Sequence, residues 1–199
     1  MQRLARSKRI FRESKSTTSV EDMLREYASA IDSGLGGLLL CVVGGKMSEG
    51  INFSDKLGRA VVMIGLPFPN AHSAEWQAKL EYIENRAYER VGKAGQKDSV
   101  RDQRAQAKRI AQDFYLNACM RAVNQCVGRV IRHKEDWASI ILLDRRFGTP
   151  AIEEKLPGWI RESMTAARAV DTLTFKQHMA SLKRFYEDKK RKEAGMLVS

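Results

Sequence analysis

Leu38-Leu39-Leu40-Cys41-Val42-Val43 is an unbroken apolar run, and Gly44-Gly45-Lys46-Met47-Ser48-Glu49-Gly50-Ile51-Asn52-Phe53 follows it directly as a polar, glycine-rich turn. Residues 60–64 and 140–143 form two more short apolar runs, the second leading into Asp144-Arg145-Arg146-Phe147. Uninterrupted runs of this length, as opposed to alternating ones, predict strands buried on both faces of a parallel sheet. Helices must then cover both faces. Ahead of the first run, Val20, Met23, Leu24, Tyr27 and Ile31 recur at helical spacing, with Thr18 and Glu21 as a capping box and Ser33-Gly34 as the stop. Behind the second, Trp76, Leu80, Ile83 and Ala87 mark a helix over about 74–88, and another is expected over about 114–132. The charged, apolar-poor segment between them, 86–113, reads as a surface insertion, with a helical one allowed. Pro150 and Pro157-Gly158 predict turns, and Phe175, Met179, Leu182 and Tyr186 predict a final amphipathic helix ending in Lys189-Lys190-Arg191-Lys192.

Thirty-five lysines and arginines against 24 acids give the 199 residues a formal charge of +11 and a pI near 9.8. Such a field attracts polyanions, so nucleic acid is the first partner to consider; a merely solvated basic face is the alternative. No apolar run approaches the roughly 20 residues that cross a bilayer, and a basic stretch, not an apolar signal core, follows Met1. A soluble protein is expected. Cys41, Cys119 and Cys126 form no CxxC pair and have no nearby histidine, which predicts reduced, buried thiols and no metal site. His72, His133 and His178 are scattered and read as structural.

Gly44-Gly45-Lys46 invites comparison with a GxxxxGK[ST] phosphate loop, but Leu40 stands where the first glycine belongs. No Asp-Glu pair follows an apolar strand either, so the parts that hold triphosphate and magnesium are expected elsewhere. The chemistry legible in this chain lies in Gln125-Cys126-Val127-Gly128-Arg129-Val130-Ile131-Arg132. On a helix, Leu116, Met120, Val123, Val127, Val130 and Ile131 fall in one apolar stripe, while Gln125, Arg129 and Arg132 fall opposite, beside Gly128. Two permanently charged forks there suit a developing triphosphate charge. The plain alternative is an amphipathic helix with a basic solvent face.

GGKMSEGINF, VVMIGLPFPN, QCVGRVIR and ILLDRRF, in this order, resemble the second motor domain of superfamily 2 DNA helicases of the xeroderma pigmentosum group D, DEAH-type branch. The likeness runs from about Lys8 to about Ile160. SEGINFSD and the AVNQ before CVGRVIR are most similar to the chromosome-loss helicases that support sister-chromatid cohesion. The resemblance implies an α/β, RecA-like three-layer domain with a mainly parallel sheet, incomplete at its N-terminus, over 1–160, followed by a basic helical tail over 161–199. Ser48, Glu49, Gly50 and Asn52 match the fifth helicase motif, which couples nucleotide to the DNA track. Asn52 replaces the aspartate of many relatives, which removes a charge but leaves an acceptor. Gln125, Arg129 and Arg132 match the sixth.

Arg129 and Arg132 are thereby implied as catalytic, Gln125, Gly128, Glu49, Gly50 and Asn52 as nucleotide-binding, and Lys46 and Ser48 as nucleic-acid-binding. Replacing either arginine should leave the fold nearly intact. The implied cofactors are ATP and Mg²⁺, held mainly by a first motor domain outside this chain, which would also carry any iron–sulphur cluster. Implied partners are single-stranded and forked DNA, that first domain, and cohesion or replication-fork proteins. No membrane is involved, and the nucleus is the expected location, with residues 189–192 either an import signal or a solvated helix end. A truncated product or excised fragment, inactive alone, is expected; a non-catalytic nucleic-acid or complex-binding module is the competing reading.

Overall fold

The computed structural model describes residues 2–13, 20–45, 47, 51–53, 55–93, 99–131, 133–168 and 174–196. Their order is α1 (Gln2–Ala5), β1 (Arg9–Arg12), α2 (Val20–Asp32), β2 (Gly37–Leu40), β3 (Ala60–Ile64), α3 (Ala74–Lys93), α4 (Val100–Val127), β4 (Ser139–Leu143), α5 (Pro150–Glu153), α6 (Gly158–Arg168) and α7 (Phe175–Met196). Short 3₁₀ turns occupy Asp55–Leu57 and Arg145–Gly148. The chain divides into two compact units at Lys155/Leu156, ahead of the border expected at Ile160.

In the first unit the expected parallel pairing holds. β3 runs parallel to β4, with Ala60 opposite Ser139 and Ile64 opposite Leu143. β1 runs parallel to β2, with Arg9 opposite Gly37. Between β1 and β2, α2 buries Tyr27 and Ala30 against Phe11, with Met23, Ile31, Leu39, Phe53 and Leu57 packed around them. The Tyr27 ring meets Phe11 and Phe53 edge-on at 5.4 and 5.9 Å, and its hydroxyl donates to the Leu57 carbonyl at 2.8 Å. Gly34, at φ +78, ends α2 in the left-handed region that glycine adopts without strain. Thr18 of the predicted capping box lies outside the described residues.

Several expectations need correction. The strands are not buried on both faces: Val62 is 48% exposed, Ile64 80% and Leu143 54%, so one apolar face of the β3–β4 pair stays open. Among the described residues the strands form two two-stranded sheets instead of one continuous sheet. The described part of segment 86–113 is helical. Residues 86–93 end α3 and 100–113 begin α4; the two helices pack against each other and bury Ala87 and Val91 on one side and Ala107 and Ala111 on the other. Finally, α4 stops at Val127, and Gly128 to Val130 form a turn. Val130 is nevertheless 4% exposed, so the apolar stripe continues past the helix that began it.

Pro150 and Gly158 open short helices rather than turns, Pro150 at a first-turn position where its missing N–H costs nothing. In the second unit, α7 continues to Met196, so the basic run 189–192 lies within the helix and not at its end. No described helix is long and apolar enough to cross a membrane.

Candidate functional site

Two segments far apart in sequence meet just past the end of α4. Arg129 leaves the end of α4 and its Nη1 donates to the Ile51 carbonyl at 2.8 Å, while the Phe53 N–H donates back to the Arg129 carbonyl at 3.1 Å. The Arg129 Nε is buried without a hydrogen-bond partner. Arg129 is thus a half-buried staple and not a free cation on a helix face. Gly128 caps α4 at φ −67 in the right-handed region, and the nearest atom to a Cβ there would be the carbonyl of Asn124, 3.2 Å away. The glycine therefore ends a helix tightly and needs no special backbone conformation.

A few residues further on, the same two segments join again. The Asp55 carboxylate lies 3.1 Å from His133 Nε2, and Asp55 itself sits at φ +53, a conformation aspartate tolerates better than most side chains. The fully buried Asp136 carboxylate accepts from Arg59 Nη1 and from the Trp137 N–H, both at 2.9 Å, and the Arg59 guanidinium lies 4.2 Å over the Trp137 ring. Asp55, His133 and Asp136 bring one ligand-capable atom each within 4.8 Å of one another. Because Arg59 already neutralises Asp136, the group acts as a polar clasp, in which His133 has a defined partner.

Gln125 is exposed on the last turn of α4 and lines an open groove of about 580 Å³ with Asn117, Met120, Arg121, Asn124 and Lys155. Asn124 Nδ2 donates to the Lys155 carbonyl at 2.9 Å, and Lys155 Nζ donates to Asp113 at 2.7 Å and Asn117 at 2.6 Å. The Lys155 ammonium, helped by the Asn117 amide that donates at 3.0 Å, holds the Asp113 carboxyl below its ordinary range. Asn52 is exposed; Lys46, Ser48, Glu49, Gly50 and Arg132 lie outside the described residues. At the end of β4, Arg146 grips Asp144 through Nε and Nη2 at 2.9 and 2.6 Å, which holds the Asp144 carboxyl down at about 2. The Arg146 guanidinium lies 5.8 Å over Phe68, which stacks on Tyr115 at 5.2 Å. VVMIGLPFPN and ILLDRRF are joined by these contacts.

Residues 1–163 match the family model described as the helicase C-terminal domain. This chain belongs to the helicase C-terminal domain family. Helicase C-terminal domains similar to it include part of the ATP-dependent DNA helicase chl1 of Aspergillus clavatus, 56% identical over 162 residues, which is 81% of this chain and 22% of that protein. ATP-dependent DNA helicase CHL1 of Coccidioides immitis is 49% identical over 180 residues, 90% of this chain and 20% of its own length. For chl1 of Schizosaccharomyces pombe the figures are 47% over 163 residues, 81% and 18%. The chain spans about a fifth of the length of these relatives.

The sequence reading of this helicase C-terminal domain read His133 as structural, as its pairing with Asp55 bears out, but missed Glu13, Asp55 and Asp136. Glu13 follows a strand too short and too arginine-rich to announce itself, and its carboxylate accepts from the Val42 and Met47 N–H groups. The sequence signal available for the others was their position: Asp55 follows one helicase motif and Asp136 the other.

Proposed function

We propose that this chain is the second, RecA-like motor domain of an ATP-dependent DNA helicase, working with a first domain that holds ATP and Mg²⁺. The observation that carries this reading is the double link between Ile51–Phe53 and Arg129, which joins the segments matching the fifth and sixth helicase motifs. A motor needs those segments to move as one, because phosphate chemistry at one must be felt on the DNA track at the other. In this reading Arg132 and Arg129 stabilise the transferred phosphoryl charge, and Gln125, Gly128, Glu49, Gly50 and Asn52 frame the nucleotide. Lys46 and Ser48 contact single-stranded DNA. The Ile51 carbonyl holds Arg129 Nη1, which makes this staple a candidate for the part that changes during turnover.

The relatives' printed names support ATP-dependent DNA unwinding by the longer protein. Chromosome maintenance, sister-chromatid cohesion and repair, a nuclear location, forked DNA, cohesion or replication-fork partners and an iron–sulphur cluster in the first half follow from the family resemblance. The deciding experiment places this chain in its full-length helicase and measures single-strand-stimulated ATP hydrolysis with Arg132→Ala. A well-folded variant hydrolysing at the parent rate would overturn the assignment.

A further inference from the structure

The loop that opens residues 44–53 closes around a carboxylate from elsewhere in the chain. Glu13, directly after β1, donates its N–H to the Leu40 carbonyl at 3.1 Å and so extends the β1–β2 ladder. Its side chain turns to the loop, where Oε2 accepts the Val42 N–H at 3.2 Å and Oε1 accepts the Met47 N–H at 3.1 Å. Gly44 sits at φ +81, and a Cβ on Gly45 would come within 2.5 Å of Glu13 Oε2 and 2.6 Å of Oε1. The carboxylate therefore fits only because residue 45 has no side chain. On the far side, Met47 is completely buried and pins the loop to the core.

Glycine turns with converging N–H groups hold phosphate in many nucleotide-binding proteins. Here the protein's own carboxylate takes that place. We infer that Glu13 is the resident anion of this loop and a positioning residue for Met47. The amides of Val42 and Met47 are thereby taken and do not hold the phosphates of DNA. That DNA binds near this loop rests on the proposed motor function; what Glu13 holds does not.

The test uses the 199-residue chain with Glu13→Ala, Glu13→Gln and Gly45→Ala. Each is measured for amide hydrogen exchange at Val42 and Met47, thermal midpoint, and single-strand binding by fluorescence anisotropy, with and without added acetate. Glu13→Ala is expected to speed exchange at both amides about tenfold or more, as loss of a hydrogen bond to a charged group implies, and to weaken DNA binding several-fold. Acetate should restore both in Glu13→Ala. It should not do so in Gly45→Ala, where the methyl group fills the anion's place. Glu13→Gln keeps the shape but can accept only one of the two N–H groups, so it should fall between parent and alanine. Unchanged exchange in Glu13→Ala, or acceleration that acetate leaves untouched, overturns the resident-anion inference. Restored exchange with DNA binding identical in all variants overturns the positioning role alone. A parent chain that binds no DNA fails the motor reading, while exchange and rescue still decide the fate of Glu13.

Discussion

At Arg129 the guanidinium is committed to the Ile51 carbonyl, and this bond divides the two arginines of the segment 125–132. Arg129→Ala leaves a half-buried carbonyl without its donor, so unfolding in urea should show a loss of roughly 1–3 kcal/mol, contrary to the expectation that either arginine could be replaced at no structural cost. Arg129→Lys should recover part of that stability, since one ammonium N–H can reach one carbonyl, but not the forked phosphate contact. Arg132→Ala in a full-length helicase should instead slow hydrolysis by on the order of 10³ to 10⁵ with the thermal midpoint unmoved. Among the thiols, burial pushes Cys119 up to about 11, against a small opposing pull from Arg146. An unfolded chain ionises the thiol near its ordinary value of about 8.5, whereas the folded chain keeps it neutral. The stability from this group is therefore complete below about pH 8.5 and is lost as pH rises towards 11. Urea midpoints across that window should fall less steeply in Cys119→Ala, and in the folded parent a thiol reagent should label exposed Cys41 well before Cys119.

Between elements, close backbone approach does as much as side-chain packing. A Cβ on Gly58 would run into the Phe53 carbonyl and come 2.8 Å from the Val130 side chain. Gly58→Ala should consequently separate the stapled loops and destabilise the chain by several kcal/mol, about the scale of an overpacked core site, with a matching loss of single-strand binding. Asp136→Ala strips Arg59 of a buried partner and should cost roughly 3–5 kcal/mol, whereas His133→Gln, at an exposed pair, should change the urea midpoint little. Strands 60–64 and 140–143 were legible because unbroken apolar runs are rare outside them. β1 was not, since two of its four residues are arginines and its partner lies outside its own window. The end of α4 was misplaced because Val130 and Ile131 keep the helical spacing of Val127 beyond the helix, and the turn still buries Val130. The helices within 86–113 were hard to read because three of the four residues they bury there, Ala87, Ala107 and Ala111, are alanines, whose burial leaves little trace in a hydrophobicity pattern. Within the candidate site, motif residues could be read from their order, but clasp residues such as Asp55 and Asp136 depend on three-dimensional closure.

As a whole, the molecule carries +11 charge and no phosphate loop, which sets its behaviour in isolation. The chain alone should release no phosphate from ATP, even with excess single-stranded DNA, as a colourimetric assay would show. It should still bind single strands without sequence preference, with affinity falling linearly on a log–log plot against salt, because ionic backbone contacts release counterions. Affinity indifferent to salt would mean the basic surface is not the contact. The β3–β4 pairing has a further consequence, for time instead of energy. Ala60 and Ser139 are register partners nearly eighty residues apart, and the entropy of closing so long a loop must be met before their first hydrogen bond forms. α3 and α4, joined by only a few residues, can zip locally and bring the two strand ends together. Helical signal should therefore return early in refolding and sheet signal late, and a nascent chain cannot close this pair until residue 143 has left the ribosome.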